Sequence, residues 1–218
     1  MARRGGRTLK PATRAIAEAE LAANKSAGAR LLFKGGHDYP ARLGQFDDAP
    51  PVLSAKGAVH LLGRPGVAIV GARNASINAQ RLAQSLAEDL GSEGYVVISG
   101  LARGIDAAVH NGALAGGTIA VIAGGIDVVY PSENTDLHES IAEAGLLLAE
   151  MPPGTQPTPR HFPIRNRIIG ALALGTVVVE AAERSGSLIT ARETAERGGE
   201  VMAVPGRRST RVRRAAIT

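Results

Sequence analysis

The 218-residue chain has no cysteine and no tryptophan, and only three phenylalanines and three tyrosines. Without thiols there is neither a disulfide framework nor a thiolate metal site. That composition fits a reducing compartment, and a cytoplasmic location is expected. The basic N-terminus is not followed by an apolar stretch, so no signal peptide is expected. The longest uncharged run, 107–126, holds five glycines with His110 and Asn111. It reads as turns and a strand, and no membrane partner is expected. Internal repeats and long low-complexity segments are also missing. No metal site, cofactor or catalytic residue is assigned from the sequence.

Charge is present, but unevenly placed. The formal net charge is +5, yet residues 1–30 carry seven Lys/Arg against two acids, and residues 207–218 carry five Arg and no acid. The intervening 31–206 holds 13 basic and 18 acidic residues, a net of −5. An anion site in the body must therefore be local, built from a few arginines and backbone amides.

Residues 1–10 are Arg/Gly-rich and expected to lack regular structure. Residues 11–29 read as a helix with Pro11 in its first turn, packed on the domain that follows. Leu31-Leu32-Phe33 is a strand candidate, and 39–62 reads as irregular with short extended segments. From Val67 the pattern is regular. Apolar runs at 67–70, 95–99, 118–122, 146–149, 176–179 and 200–204 alternate with helical stretches near 76–92, 105–115, 133–144, 163–174 and 187–198. Helices between strands imply crossover connections, hence an α/β fold with a mostly parallel sheet covered on both faces. In the first helix Leu82, Leu86 and Leu90 recur at i, i+4, i+8 and predict the stripe that lies on the sheet. The loop at 151–162 carries four prolines, and its length suggests a functional role.

The loops after the strands carry the chemistry. Gly71-Ala72-Arg73-Asn74-Ala75-Ser76 has Arg and Ser where a dinucleotide fingerprint needs its second and third glycines. Arg73 either grips a phosphate with its planar fork or pairs with a carboxylate. Ser76 is an N-cap candidate with free amides behind it, either an anion site or a plain cap. Ser99-Gly100-Leu101-Ala102-Arg103-Gly104-Ile105-Asp106 is a turn feeding a helix, with Asp106 read as a cap and His110 on the same face, a structural pair. Tyr130 is either a stacking surface or half-buried. In Phe162-Pro163-Ile164-Arg165-Asn166-Arg167 the two arginines point about 200° apart on a regular helix, so one meets the anion and the other ties the helix down. Ser185-Gly186-Ser187, with Thr190 a turn later, makes a cradle of amides and hydroxyls but lacks the lysine of a P-loop, so ATP hydrolysis is not supported. Together these loops line one sheet edge, where open α/β sheets bind ligands.

These motifs, with Tyr130-Pro131 and Val204-Pro205-Gly206, resemble the DNA-processing protein A (DprA/Smf) family. The likeness runs in order from about Tyr39-Pro40 to Gly206. It implies an extended Rossmann-like, doubly wound domain over 31–206, preceded by the last helix of a helical domain within 1–30 and followed by an Arg-rich tail at 207–218 where the family pattern departs. The resemblance further implies a homodimer without catalytic activity that binds single-stranded DNA, protects strands during natural transformation and helps load the RecA recombinase. Carried over by motif, the DNA- and phosphate-binding positions are Gly71, Arg73, Ser76, Ser99, Gly100, Arg103, Gly104, Phe162, Arg165, Asn166, Arg167, Ser185, Gly186, Ser187 and Thr190. With few aromatic platforms, binding should rest on phosphate contacts and depend strongly on salt. The alternatives are a small-nucleotide sensor and a Rossmann-like enzyme that cleaves nucleoside monophosphates. The enzyme class resembles this chain in its Ser-Gly turn, but its Pro-Gly-Gly-x-Gly-Thr-x-x-Glu motif is missing at 180–187.

Overall fold

Short, continuously apolar runs flanked by glycine become strands because they can be buried on both faces at once. In a computed structural model of the chain, the described residues are 3–4 and 7–8 (backbone only), 12–183 and 185–205. The Arg-rich 207–218 lies outside them. The strands are β1 (Arg3–Arg4), β2 (Arg7–Thr8), β3 (Arg30–Phe33), β4 (Val52–Gly57), β5 (Gly66–Gly71), β6 (Val96–Ser99), β7 (Thr118–Gly125), β8 (Leu146–Met151), β9 (Gly175–Val179) and β10 (Glu200–Ala203). The helices are α1 (Arg14–Ser26), α2 (Ala41–Gly44), α3 (Ile77–Ser92), α4 (Ile105–Ala113), α5 (Thr135–Ala144), α6 (His161–Leu172) and α7 (Gly186–Glu196). β1 pairs with β2, where no regular structure was expected.

The remaining strands form one eight-stranded sheet in the order β10-β9-β5-β6-β7-β8-β4-β3. The first six run parallel, and β4 and β3 add an antiparallel edge. That edge is the main departure from the expected pattern, since 39–62 read as irregular. Leu32, Leu53 and Ala55 bury there against the same core as Leu146 and Leu148.

Alternation along the strands serves two helical layers. Ala68, Ile98, Ile119 and Val121 face α6 through Ile168, Ile169 and Leu172, while Val70 and Val178 face α7 through Ala191. Their neighbours Ile69, Val97, Val177 and Val179 face α3 and α4, and Ala120, Ile122 and Leu147 face α5. The sheet is thus doubly wound, as the alternation of apolar runs and helices predicts.

Two helices differ from expectation. On α3 the fully buried stripe is Ala83, Ala87 and Gly91; of the leucines, Leu86 and Leu90 pack partly buried against the same core as expected, while Leu82 is exposed. Small residues win because α3 packs closely on the α4 hairpin: a Cβ on Gly91 would stand 3.0 Å from Gly116 Cα. The N-terminal helix begins at Arg14 and is capped by Thr13, whose hydroxyl accepts from the Ile16 amide; Pro11 lies outside the described residues. Contrary to the packed helix expected, Ile16 and Leu21 are exposed, and Asn24 is the one residue of α1 fully buried.

The connectivity creates the crevice. From β5 the chain steps outward through β6, β7 and β8, then α6 carries it back to β9 on the other side of β5. The loops after β5 and β9 therefore leave in opposite directions, and such a switch point is where open parallel sheets bind ligands.

Candidate nucleic-acid interface

At this switch point lies a cleft of about 300 Å³, whose lining includes Arg73, Asp106, Arg165, Asn166 and the Ser185-Gly186-Ser187 turn. A smaller depression beside it is lined by Gly100, Arg103, Gly124, Val128, Tyr130 and Pro157. Arg73 and Phe162 border both. The Arg73 guanidinium stacks over Phe162 at 5.0 Å from the ring centroid, and Phe162 meets Tyr130 at 5.8 Å in a tilted pair. Arg73 is exposed, so its fork is held over an aromatic ring while remaining open to a ligand. Tyr130 is 49 % exposed and so presents a ring face, not a buried one.

The 99–104 turn lines the smaller depression through Gly100–Arg103, and its Ala102 also borders the cleft. Leu101 takes a positive φ of 57°, and Asn134 Nδ2 holds it by donating to the Leu101 carbonyl at 3.1 Å and the Ala102 carbonyl at 3.3 Å. Asp106 accepts from the Ala102 amide at 3.3 Å. Gly100 is required because the Arg165 guanidinium lies directly on it. A Cβ there would overlap Nη1 and stand 2.5 Å from Cζ. Arg165 Nη1 donates to the Val121 carbonyl at 2.7 Å, and Nε, buried, has no partner.

The buried charges are coupled. Burial brings Arg165 down to about 10, with Asp106 opposing and Arg73 adding to the shift, so the guanidinium remains charged at neutral pH. Burial pushes the Asp106 carboxyl up, while Arg165 and the hydrogen bond from the Ala102 amide pull it down. His110 does not pair with Asp106 as the sequence suggested. Its Nδ1 meets the Thr118 hydroxyl at 2.7 Å, and that hydroxyl donates onward to the Val97 carbonyl at 3.0 Å. Burial, then Arg165, brings the His110 imidazole down to about 3. The neutral ring therefore contributes stability that is complete above about pH 6.5. It drains away as pH falls toward 3, because the unfolded chain takes up the proton first. His110→Gln is expected to reduce the loss of stability between pH 7 and pH 4.5, read as the shift in urea midpoint. An equal shift in both proteins would remove His110 from the acid transition.

Several anticipated ligand residues are placed otherwise. Ser76 caps α3, accepting from the Ala79 amide at 3.2 Å, but the anion on it is Glu180: Ser76 N and Oγ both donate to Glu180 Oε2, at 3.0 and 2.8 Å. Ser99 is fully buried, its hydroxyl donating to the Ile69 carbonyl at 2.7 Å. Gly71 and Gly104 serve close packing: a Cβ on the first would overlap the Val179 carbonyl, and one on the second the Ala72 carbonyl. Arg103 stands at the rim, 3.3 Å from Glu133. Arg167 turns away to Glu150 at 2.5 Å, so it is the arginine that ties α6 down, and Arg165 the one in the cleft. Asn166 Nδ2 donates to the Gly186 carbonyl at 3.1 Å, joining the starts of α6 and α7. Ser185 caps α7, accepting from the Ser187 amide at 3.2 Å, and Thr190 lies beneath. Sequence reasoning missed Glu180, whose partner is 104 residues distant, and missed Asp106 as the counter-charge of Arg165.

These features define a Rossmann-like α/β protein with an arginine-lined cleft at the carboxyl edge of its sheet. The profile of the family described as DNA recombination-mediator protein A matches residues 30–216, and the chain belongs to that family. It is 43 % identical to the DNA processing protein DprA of Bacillus subtilis over 189 residues, 85 % of this chain and 64 % of that protein. It is 46 % identical to the DprA of Streptococcus pneumoniae over 170 residues, 77 % of this chain and 60 % of the relative. The chain thus spans less than two thirds of these relatives. The X-ray structure of the Streptococcus pneumoniae protein superposes with a TM-score of 0.82 at 41 % identity, covering 89 % of this chain and 69 % of that one. A structure of the Helicobacter pylori protein, solved for its single-stranded DNA binding mode, gives 0.77 at 28 % identity and covers 84 % of both.

Proposed function

We propose that this domain binds single-stranded DNA along the carboxyl edge of its sheet, without sequence preference, and acts in DNA processing during transformation and recombination. The observation that carries the reading is Arg73, stacked on Phe162 beside exposed Tyr130 at the mouth of the cleft. A guanidinium meets phosphate and two ring faces meet unstacked bases, which single strands offer and duplexes do not. The Helicobacter pylori relative's single-stranded DNA binding mode supports the assignment. By family likeness the strand is protected and passed to the RecA recombinase by a cytoplasmic homodimer. By the same likeness the function is binding without turnover; His110, which the sequence set beside Asp106, is fully buried and bonded to Thr118 instead.

Titration with labelled single- and double-stranded oligonucleotides at several salt concentrations tests this. Preference for the single strand and a steep salt dependence are expected; their absence would sink the assignment. Arg73→Ala should weaken single-strand binding by about 1–3 kcal/mol for a charge-assisted contact and flatten the log K against log salt slope by about 0.7. Melting should be unchanged, because the side chain is at the surface. Unchanged affinity would make Arg73 structural.

A further inference from the structure

The loop that carries Arg73 is held at both ends. On one side the start of α4 presses against it. The Ile105 amide donates to the Ala72 carbonyl at 3.2 Å, and a Cβ on Gly104 would overlap that carbonyl and crowd the Arg73 carbonyl as well. On the other side stands Glu180, the residue that follows β9. Strand β9 runs beside β5 with Val179 opposite Gly71, so the two loops start side by side before they diverge. Glu180 Oε2 accepts from the Ser76 amide at 3.0 Å and from the Ser76 hydroxyl at 2.8 Å. That hydroxyl in turn accepts from the Ala79 amide at 3.2 Å, which ties the latch to the first turn of α3. Between these two fixed points Arg73 and Asn74 stand exposed.

Glu180 reaches Ser76 from a left-handed backbone conformation, with φ at 50°. A glutamate holds that conformation only where its surroundings impose it. Its hydrogen bonds are charge-assisted and lie at the start of α3, where the helix dipole favours a carboxylate. Yet the side chain is exposed, beside a surface proposed to bind a polyanion. By charge alone it repels the strand. By geometry it shapes the loop that presents Arg73 over Phe162. Charge and geometry therefore predict opposite outcomes when Glu180 is removed.

We propose that Glu180 is a positioning residue for strand binding. It holds the 71–76 loop in the shape that sets the Arg73 guanidinium over the Phe162 ring, and its loss weakens binding although a negative charge is removed. The proposal rests on the single-strand reading above, but Glu180 itself need not touch DNA.

The test titrates a labelled single-stranded oligonucleotide into the full chain and its Glu180→Ala, Glu180→Gln, Arg73→Ala and Arg73→Ala/Glu180→Ala variants. Glu180→Ala is expected to weaken binding by roughly threefold to tenfold, the scale of one or two surface hydrogen bonds. Glu180→Gln keeps an acceptor for Ser76 without the charge, and should bind at least as tightly as the parent. In the Arg73→Ala background, Glu180→Ala should cause no further loss, because the side chain it positions is already gone. Amide exchange across 73–79, measured without DNA, should quicken in Glu180→Ala and not in Glu180→Gln. The proposal is overturned by a Glu180→Ala variant that binds as tightly as the parent or tighter, the result that charge alone predicts. No recovery in Glu180→Gln, an equal loss in the Arg73→Ala background, or unchanged exchange in Glu180→Ala overturns it too. A parent without affinity for single strands would remove the binding reading, and the positioning role with it. A parent that binds beside a Glu180→Ala variant that binds equally well removes the positioning role alone.

Discussion

Arg165→Met is expected to be the most damaging single change in the cleft, costing about 3–5 kcal/mol of folding stability because it strands a buried carboxylate. Asp106 is 8 % exposed, and Arg165 is the opposite charge acting on it. The methionine fills much of the space but neither donates to Val121 nor balances Asp106. For a domain of this size the loss amounts to roughly 10 °C in melting temperature. Asp106→Asn should restore at least half of it in the double variant, since the stranded charge is then removed. A double variant no more stable than Arg165→Met would mean that the two residues are uncoupled and the damage is packing alone. The cation proposed to face the strand also opposes the fold's own buried acid, so stability by itself constrains this side chain.

The parallel half of the fold is legible in the sequence because its strands are buried on both faces and read as unbroken apolar runs, as in Val67 to Val70 and Leu146 to Ala149. The antiparallel edge is not. β4 follows two prolines, and its partner β8 lies far along the chain, so no local periodicity marks the pairing. The α3 stripe is legible only in part, with Leu86 and Leu90 on the core and Leu82 exposed, for a different reason. Leucines carry the hydrophobic signal, but close helix packing selects Ala83, Ala87 and Gly91. At the site, helical geometry alone says that Arg165 and Arg167 diverge. Only the positions of Glu150 on β8 and Asp106 on α4 decide which one enters the cleft. Ser76 shows the limit most clearly. Its cap and free amides are visible in the sequence, while the carboxylate on them comes from Glu180, held at a φ of 50° beyond β9. A local motif reveals an anion site but not that the chain has already supplied the anion.

Gly100→Ala is expected to unseat Arg165 without touching its charge. Two glycines of the cleft make the comparison sharp. At Gly100 a Cβ would overlap Arg165 Nη1 and stand 2.6 Å from Nη2, whereas at Gly186 it would meet nothing within 4 Å. The guanidinium cannot simply swing aside, because Nη1 is bonded to Val121 and the side chain is enclosed. Gly100→Ala should therefore destabilise the fold by about 1–3 kcal/mol, as overpacking usually does. It should also weaken binding of single-stranded oligonucleotides if the strand lies, as proposed, along this edge, since the turn lines the depression beside Arg73. Gly186→Ala should stay within about 0.5 kcal/mol of the parent in stability. Urea midpoints and oligonucleotide titrations of the two variants read both effects. If Gly100→Ala melts like the parent and binds normally, the 99–104 turn gives way easily and Arg165 is not held by it. If it loses stability but keeps full affinity, the seat of Arg165 matters to the fold alone, and contact with DNA belongs to Arg73 and its aromatic neighbours.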